Sequence, residues 1–388
     1  TLPGVALLSL DTLPPGDAAR LFVHRAGRRA GGDDAAIARI TELCGYLPLA
    51  IALTAARLHV HPAWSVADLA DDLARTRDRV TELASGDLAV SATFDLSYRD
   101  LPADLQRLFR RLALHPGPDF DAHAAAALDG SSPAAVRRGL EGLLEHNLLT
   151  EPHRGRYRFH DLIAAHARVQ ASADPVSARE AALDRLLDYY LSAADKAATV
   201  LGAGYTGVSA AADPPVSTPE LRDPRQAGDW FAAEQSNLAA ATAYAADRRH
   251  RAAVGIPTAM HQHLRSRGPY DLALHLHRTA RTVAEFTGDD AAYAQASINL
   301  AHMQRLTSDP AAADTVRDAL DRYRQLDDRR GEGRALDTLA RTYYLTDDLK
   351  TATATAEQAL SVSEHTDDAY GKASALEMLA RLHYMIGE

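Results

Sequence analysis

Lysine is almost missing from this 388-residue chain: Lys196, Lys350 and Lys372 are the only three, so arginine carries nearly all the positive charge. That bias fits a GC-rich genome better than a function. Acidic residues outnumber basic ones by 52 to 42, which excludes the broad positive field that non-specific nucleic-acid binding needs. Cys44 is the single cysteine, which rules out a disulfide framework and a cysteine-rich metal centre. No apolar run approaches the roughly 18 residues a membrane span requires. The opening Thr1–Leu10 has no basic leader, unlike a signal peptide. The chain has no initiating Met and stops at Glu388 as a repeat closes. It therefore reads as a cytoplasmic piece of something longer.

A phosphate-binding loop is missing too. Such a loop needs Gly, four residues, then Gly-Lys-Ser/Thr, because its backbone N–H groups must cradle phosphates while Lys reaches the terminal ones. The only Gly-Lys is Gly371-Lys372, with Thr366 where the first Gly should be and Ala373 next. By itself this chain is expected to hydrolyse nothing, and no nucleophile–base pair or carboxylate dyad suggests a self-contained enzyme.

What is present is alanine, inside a hydrophobic fraction of 46%, with only 6% aromatics. That composition favours closely packed helices, and the expected fold class is mainly α. Residues 1–86 read as a small helical domain with a leading strand at Gly4–Leu10. Four helices follow, over Asp17–Ala30, Asp34–Cys44, Pro48–Leu58 and Val66–Leu83, with Pro48 in the first turn and Ser65/Asp68 as a capping box. Residues 87–170 change rhythm. Helices at Leu88–Tyr98, Pro102–Leu114, Ala122–Leu128 and Pro133–His146 precede two short strands, Leu148–Glu151 and Arg156–Phe159, around a turn at Pro152–Gly155. Helices followed by such a hairpin form a winged-helix pattern, and a helix at Asp161–Gln170 leaves the wing. Residues 171–225 make a connector, with a helix at Ser177–Leu201 and a Gly/Pro/Ser-rich loop.

From 226 to 388 the sequence repeats. Asn299-Leu300-Ala301, Thr338-Leu339-Ala340 and Met378-Leu379-Ala380 stand 39 and 40 residues apart. Ala319-Leu320 and Ala359-Leu360 recur 40 apart, each leading to an Asp-Asp turn. A helix pair repeated at this interval predicts an α-helical, tetratricopeptide-like solenoid. Ala296, Ala301, Ala335, Ala340, Ala375 and Ala380 are its packing positions, while Tyr343, Tyr344 and Tyr384 lie in core or groove. From Tyr270 onward 20 acidic and 13 basic residues leave a local charge of −7, a solvated or partner-facing acidic surface.

Several of these segments resemble one family. Gly45-Tyr46-Leu47-Pro48-Leu49-Ala50 looks like the Gly-Leu-Pro-Leu motif of the NB-ARC ATPases, signal-transducing ATPases with numerous domains (STAND). Arg156-Tyr157-Arg158-Phe159-His160-Asp161-Leu162 resembles the Met-His-Asp motif that closes their winged helix. Phe94–Tyr98 with Leu101-Pro102, and Leu143–Leu149, fit the stretches between. Asp229–Leu238 followed by 40-residue repeats resembles actinobacterial regulators of antibiotic production, the SARP-like family. Tyr46 replaces the usual leucine and Phe159 stands where methionine is common. The absent phosphate loop would lie before Thr1.

The resemblance implies a role for particular residues. His160 would touch the β-phosphate of ADP and hold a closed, inactive state. Pro48, with Leu47 and Gly45, would line the base and ribose side; otherwise Pro48 simply starts a helix. Asp161, at a helix start where carboxylates bond free N–H groups, would serve as the cap that aims His160. ADP or ATP would be held by the full-length parent and not tightly by this chain alone. The expected partners are the upstream nucleotide-binding domain and a protein or small-ligand signal on the repeat groove. The activated form would be a homo-oligomer and output transcriptional, with DNA reached only through a domain outside this chain, and no membrane is involved.

Two other readings compete. One is a repeat adaptor without nucleotide function. The other is a winged-helix DNA binder using Arg137, Arg138, Arg154, Arg156 and Arg158, although Glu141 and Glu145 on the same helix would face phosphates badly. The pairs His59/His61, His261/His263 and His275/His277 cannot each share one ion, because residues two apart on a helix point in different directions. They are expected to be solvated.

Overall fold

Short turns carrying aspartate (Asp289, Asp309, Asp327-Asp328, Asp347-Asp348 and Asp367-Asp368) separate the last helices of the chain. The structure, a computed structural model, describes residues 12–30, 32–81, 88–202 and 217–386. The strand expected at Gly4–Leu10 and most of the connector loop lie outside the described residues. Two compact units are separated by their internal contacts: Thr1–His115 with Asp119–Leu183, and Asp184–Glu388 with Pro116–Pro118.

The first unit begins with four helices: α1 (Pro15–Ala26), α2 (Asp34–Leu43), α3 (Pro48–Val60) and α4 (Val66–Thr81). Residues four or so apart on each helix (Phe22 and Ala26; Ile37 and Ile40; Ile51, Ala55 and Leu58; Leu69 and Leu73) meet in one core. Cys44 is sealed inside this core beside Thr54 Oγ1 at 3.4 Å, and burial pushes its thiol up to about 11, so it is unreactive. Ser65 and Asp68 form the expected reciprocal cap at the start of α4, with both the backbone N–H and the hydroxyl of Ser65 donating to the carboxylate.

Next come α5 (Leu88–Arg99), α6 (Ala103–Leu112), α7 (Ala122–Asp129) and α8 (Pro133–Glu145), then the hairpin β1 (Thr150–His153) and β2 (Arg156–Arg158), and α9 (Asp161–Ser172). Asp121 and Ser132 cap α7 and α8 through their side chains. Gly139 and Gly142 let α8 lie close on α6: a Cβ at Gly139 would sit 2.5 Å from Leu108, and one at Gly142 3.0 Å from Leu105. The hairpin is shifted from its expected register. Pro152 belongs to β1 and not to the turn, and because it has no N–H to donate, the pairing is irregular between Thr150 and His153. The reversal itself falls on Arg154-Gly155, with Gly155 at φ 76°. Phe120 and Tyr157 exchange both backbone hydrogen bonds, at 2.9 and 2.8 Å, giving the hairpin a third extended neighbour.

The helix α10 (Val176–Val200) contains the boundary between the two units. After it the regular elements among the described residues of the second unit are all helices: α11 (Pro224–Asp247), α12 (Ala252–Arg267), α13 (Tyr270–Thr287), α14 (Asp290–Leu306), α15 (Ala312–Gln325), α16 (Arg329–Leu345), α17 (Leu349–His365) and α18 (Ala369–Ile386). Each packs on the next, and α12, α14, α16 and α18 also touch in succession, forming the inner layer of a stack of helix pairs. The Asp-Asp turns explain themselves. Asp327, Asp347 and Asp367 adopt positive φ, which Asp tolerates better than most residues, at the end of one helix. Asp328, Asp348 and Asp368 then cap the next helix by accepting from the third N–H along. Ala296, Ala301, Ala335, Ala340 and Ala375 are buried between helices. Ala380 is exposed, as is Tyr384 on the last described helix, where no further helix is described to cover them.

Candidate functional site

Gly45 and Tyr46 both take left-handed backbone, φ 61° and 56°, and reverse the chain between α2 and α3. Their N–H groups donate to Glu42 O and Thr41 O at 2.9 and 3.0 Å, closing α2, while Tyr46 O accepts from Leu13 N–H at 3.0 Å. Leu47 is the N-cap of α3, without a side-chain cap, and Pro48 follows in its first turn. Gly45 and Leu47 are half-buried and Pro48 is exposed. This turn therefore presents a small apolar edge held by main-chain bonds.

The second cluster lies at the end of the hairpin. Phe159 packs edge-on against Phe109 at 5.3 Å and against Phe120 at 6.1 Å. That anchor fixes the next residue, His160, which is exposed and has extended backbone, φ −71° and ψ 145°. His160 is itself the N-cap of α9, and its carbonyl accepts from Ala164 N–H at 2.8 Å. Its imidazole forms no cap bond, ion pair or ring contact among the described residues. Asp161 is thus not the cap that the sequence suggested. It is the first helical residue, and it acts on the helix end by its charge.

α9 buries Ile163, Ala167 and Ala171. The His166 ring sits among Phe94, Tyr98 and Phe109 at 5.9 to 6.4 Å, and burial pushes its pKa down. α5 packs on both α3 and α9. The two expected site clusters are therefore carried by helices that share a neighbour, and no described hydrogen bond joins them. Arg137, Arg138, Arg154 and Arg158 are exposed, but so are Glu141 and Glu145, and Arg156 is engaged by Asp119.

A buried ion cluster fastens the helices of this unit. The Arg57 guanidinium, on α3, bonds Asp72 of α4 at 3.2 Å and Asp100, just past α5, at 2.7 Å. Its charge also lies over Trp64, 5.2 Å from the ring centre, and His61 reaches the same Asp100 oxygen at 3.0 Å.

No protein-family profile matches the chain. Two curated relatives do. It is 38% identical to the regulatory protein AfsR of Streptomyces griseus over 270 residues, 66% of this chain and 26% of the relative. It is 41% identical to the regulatory protein AfsR of Streptomyces coelicolor over 199 residues, 50% of this chain and 20% of that one. The chain thus spans about a quarter or less of the length of the curated relatives it matches. A solved STAND protein with a tetratricopeptide repeat sensor from Pyrococcus horikoshii aligns over 99% of this chain and 58% of its own, at 14% identity and a TM-score of 0.38.

Sequence reasoning missed a polar cluster inside the repeats. His261, His263 and His277, expected to be solvated, are packed within the helix stack, whereas His59 and His275 are exposed. His263 stacks on Phe231 at 5.2 Å. His277 is fully buried, and with His261 and His302 it forms a chain of rings. The proton positions follow from its far end. Thr338 gives its hydroxyl proton to Arg334 O at 2.8 Å, so its oxygen must accept from His302 Nε2–H at 3.2 Å. His302 Nδ1 then accepts from His261 Nε2–H, and His261 Nδ1 from His277 Nε2–H, each at 3.2 Å. His277 Nδ1 is left buried without a donor. Each contact uses a different nitrogen, so the rings form a line and do not converge on one point. Burial drives His277 and His302 down to about 3 and His261 well below its ordinary value. One sequence signal was available: His302 occupies the repeat position held 39 and 79 residues later by Arg341 and Arg381.

Proposed function

We propose that this chain is the sensing and switching portion of a nucleotide-dependent regulator, with ADP- and ATP-bound states set by a domain that precedes it in the parent. The observation that carries this reading is His160: an exposed, unengaged imidazole at the positive end of α9, aimed by the Phe159 anchor. Such a ring can give a charge-assisted hydrogen bond to a phosphate and lose it when that phosphate moves. Gly45, Leu47 and Pro48 fit the apolar side of such a nucleotide, since their edge is accessible and held by main-chain bonds. When bound, the nucleotide supplies a charge that differs between states, and these residues only hold or release it. Residues 87–170 then act as a winged helix that carries the switch. The repeats bind a signal and bias the equilibrium by preferring one state. No hydrolysis is assigned to this chain, and transcriptional output is inferred from the likeness to the AfsR regulatory proteins.

The test is His160→Ala in the longer protein that includes its nucleotide-binding domain. Losing one hydrogen bond to a charged group, about 1.5–3 kcal/mol, should speed ADP release roughly tenfold to a hundredfold. The same substitution should change stability by no more than about 0.5 kcal/mol, since the ring is exposed. Unchanged release of fluorescent ADP would remove the switch reading and leave a repeat adaptor.

A further inference from the structure

Most arginines in the second unit are paired with carboxylates, as Arg322 is with Asp290 and Arg281 with Asp318. Five on the inner layer have no described carboxylate partner: Arg267, Arg330, Arg334, which lies over the Tyr323 ring, and the two of interest, Arg265 and Arg305. Arg265, near the end of α12, is exposed and makes no described hydrogen bond or ion pair. Arg305, near the end of α14, is half-buried and its Nε is enclosed without any hydrogen-bond partner. Next along the layer, Arg341 is held by Asp337 at 3.0 Å, by Ser374 Oγ at 3.0 Å and by Glu377 at 3.3 Å, and Glu377 is shared with Arg381. Of the guanidiniums of Arg265, Arg305, Arg341 and Arg381, only the last two bond the carboxylates of Asp337 and Glu377, and Asp337 Oδ1 is left enclosed without a partner. The uncompensated charge lies at Arg265 and Arg305.

We propose that Arg265 and Arg305, backed by Arg341, form a binding site for a dianionic phosphoryl group on the inner face of the repeats. An enclosed guanidinium Nε without an acceptor is costly in a folded chain, and an external oxyanion supplies what the protein does not. Guanidinium forks match phosphate oxygens in pairs, and two open forks balance two charges where a single carboxylate would balance one. The crowding also has an electrostatic trace: burial and the positive charges of Arg341 and Arg265 lower the Arg305 pKa, opposed only by Asp337. An anion relieves that repulsion. The neutral rings of His302 and His261 behind the cluster add no competing charge.

The site rests on reading the repeats as the signal-binding part, but its test needs no nucleotide domain, so its failure leaves the His160 experiment untouched. Titrating the 388-residue chain with inorganic phosphate, at ionic strength held constant with chloride, should give saturable binding by calorimetry. Arg305→Gln and Arg265→Gln should each weaken it at least tenfold, and exposed Arg28→Gln should leave it unchanged. Because Arg265 is exposed, its variant tests the site even if Arg305→Gln fails to fold. Tenfold tighter binding of a phosphoserine peptide than of phosphate would assign the group to a modified partner, and equal or weaker binding to a small phosphate ester. A response matched by chloride alone, or phosphate affinity unchanged in both variants, would overturn the proposal.

Discussion

Acid should loosen the repeats before it removes their surface ion pairs. His277 is fully buried and neutral, and burial holds both it and His302 near 3, against 6.5 for a free imidazole. Their folded pKa values lie below the unfolded ones, so the unfolded chain binds more protons between these limits. The stability contributed by keeping both rings neutral is complete above pH 6.5 and is lost as pH falls towards 3. Each such ring costs about 1.4 kcal/mol of stability per pH unit below 6.5. At pH 5.0 His277 should therefore have cost about 2 kcal/mol, and the half-buried His302 up to about as much again. His261 adds to this in the same direction, and Arg265, Arg305 and Arg341 nearby oppose any proton that arrives. The assay is amide exchange resolved to α12–α14, at several pH values from 7.5 to 5.0 and corrected for intrinsic rates, alongside urea midpoints by circular dichroism. Protection there should fall steeply below pH 6.5, and His277→Leu should flatten the slope by one proton. Protection independent of pH over that range would refute the buried, neutral chain of rings.

Further predictions concern the scaffold. Arg57→Met leaves Asp72 with only Arg75 and Asp100 with only His61 and should cost about 1–3 kcal/mol, read as a lowered urea midpoint of the first unit. In the Asp327-Asp328 turn the two aspartates should respond oppositely in thermal melts. Asp328→Ala removes a cap worth about 1 kcal/mol, whereas Asp327→Gly relieves a left-handed residue and should be neutral or stabilising by up to about 1 kcal/mol. Gly331→Ala would place a Cβ inside the Tyr323 ring's contact shell and 2.6 Å from Asp328 Oδ2, costing about 1–3 kcal/mol. The matching Gly371→Ala meets the Ser363 hydroxyl and the Asp368 carboxylate, neither of them a rigid ring, and should melt closer to the parent.

Local chemistry made most of the helices legible. Prolines 48 and 133 start helices where a missing N–H is harmless, and the Asp-Asp pairs mark where one helix stops and the next is capped. The 39- and 40-residue spacing of the alanine positions reported the helix stack because each repeat buries the same face. Register was less legible in the hairpin. A four-residue strand has little pattern to fix its pairing, and proline was read as turn although it can occupy an irregular strand edge.

The chemistry-bearing residues divide along the same line. His160 stands out in the sequence because the order of residues around it is local, and its exposure follows from its place between a strand and a helix. His261 and His277 are packed where solvent was expected because their burial is decided by partners 16 and 41 residues away. Spacing of two on a helix argues against a common ion for each pair, but it could not show that a ring on the next helix would accept the hydrogen bond water would otherwise make. Arg265 and Arg305 were illegible for the complementary reason. Forty positions apart, they look like any solvated arginines in an acidic segment. Only the stack reveals that Asp337 and Glu377 bond Arg341 and Arg381 and neither of these two. In a repeat protein, the positions that maintain the fold recur along the sequence, whereas those available to a ligand are the ones where that recurrence leaves a charge unanswered.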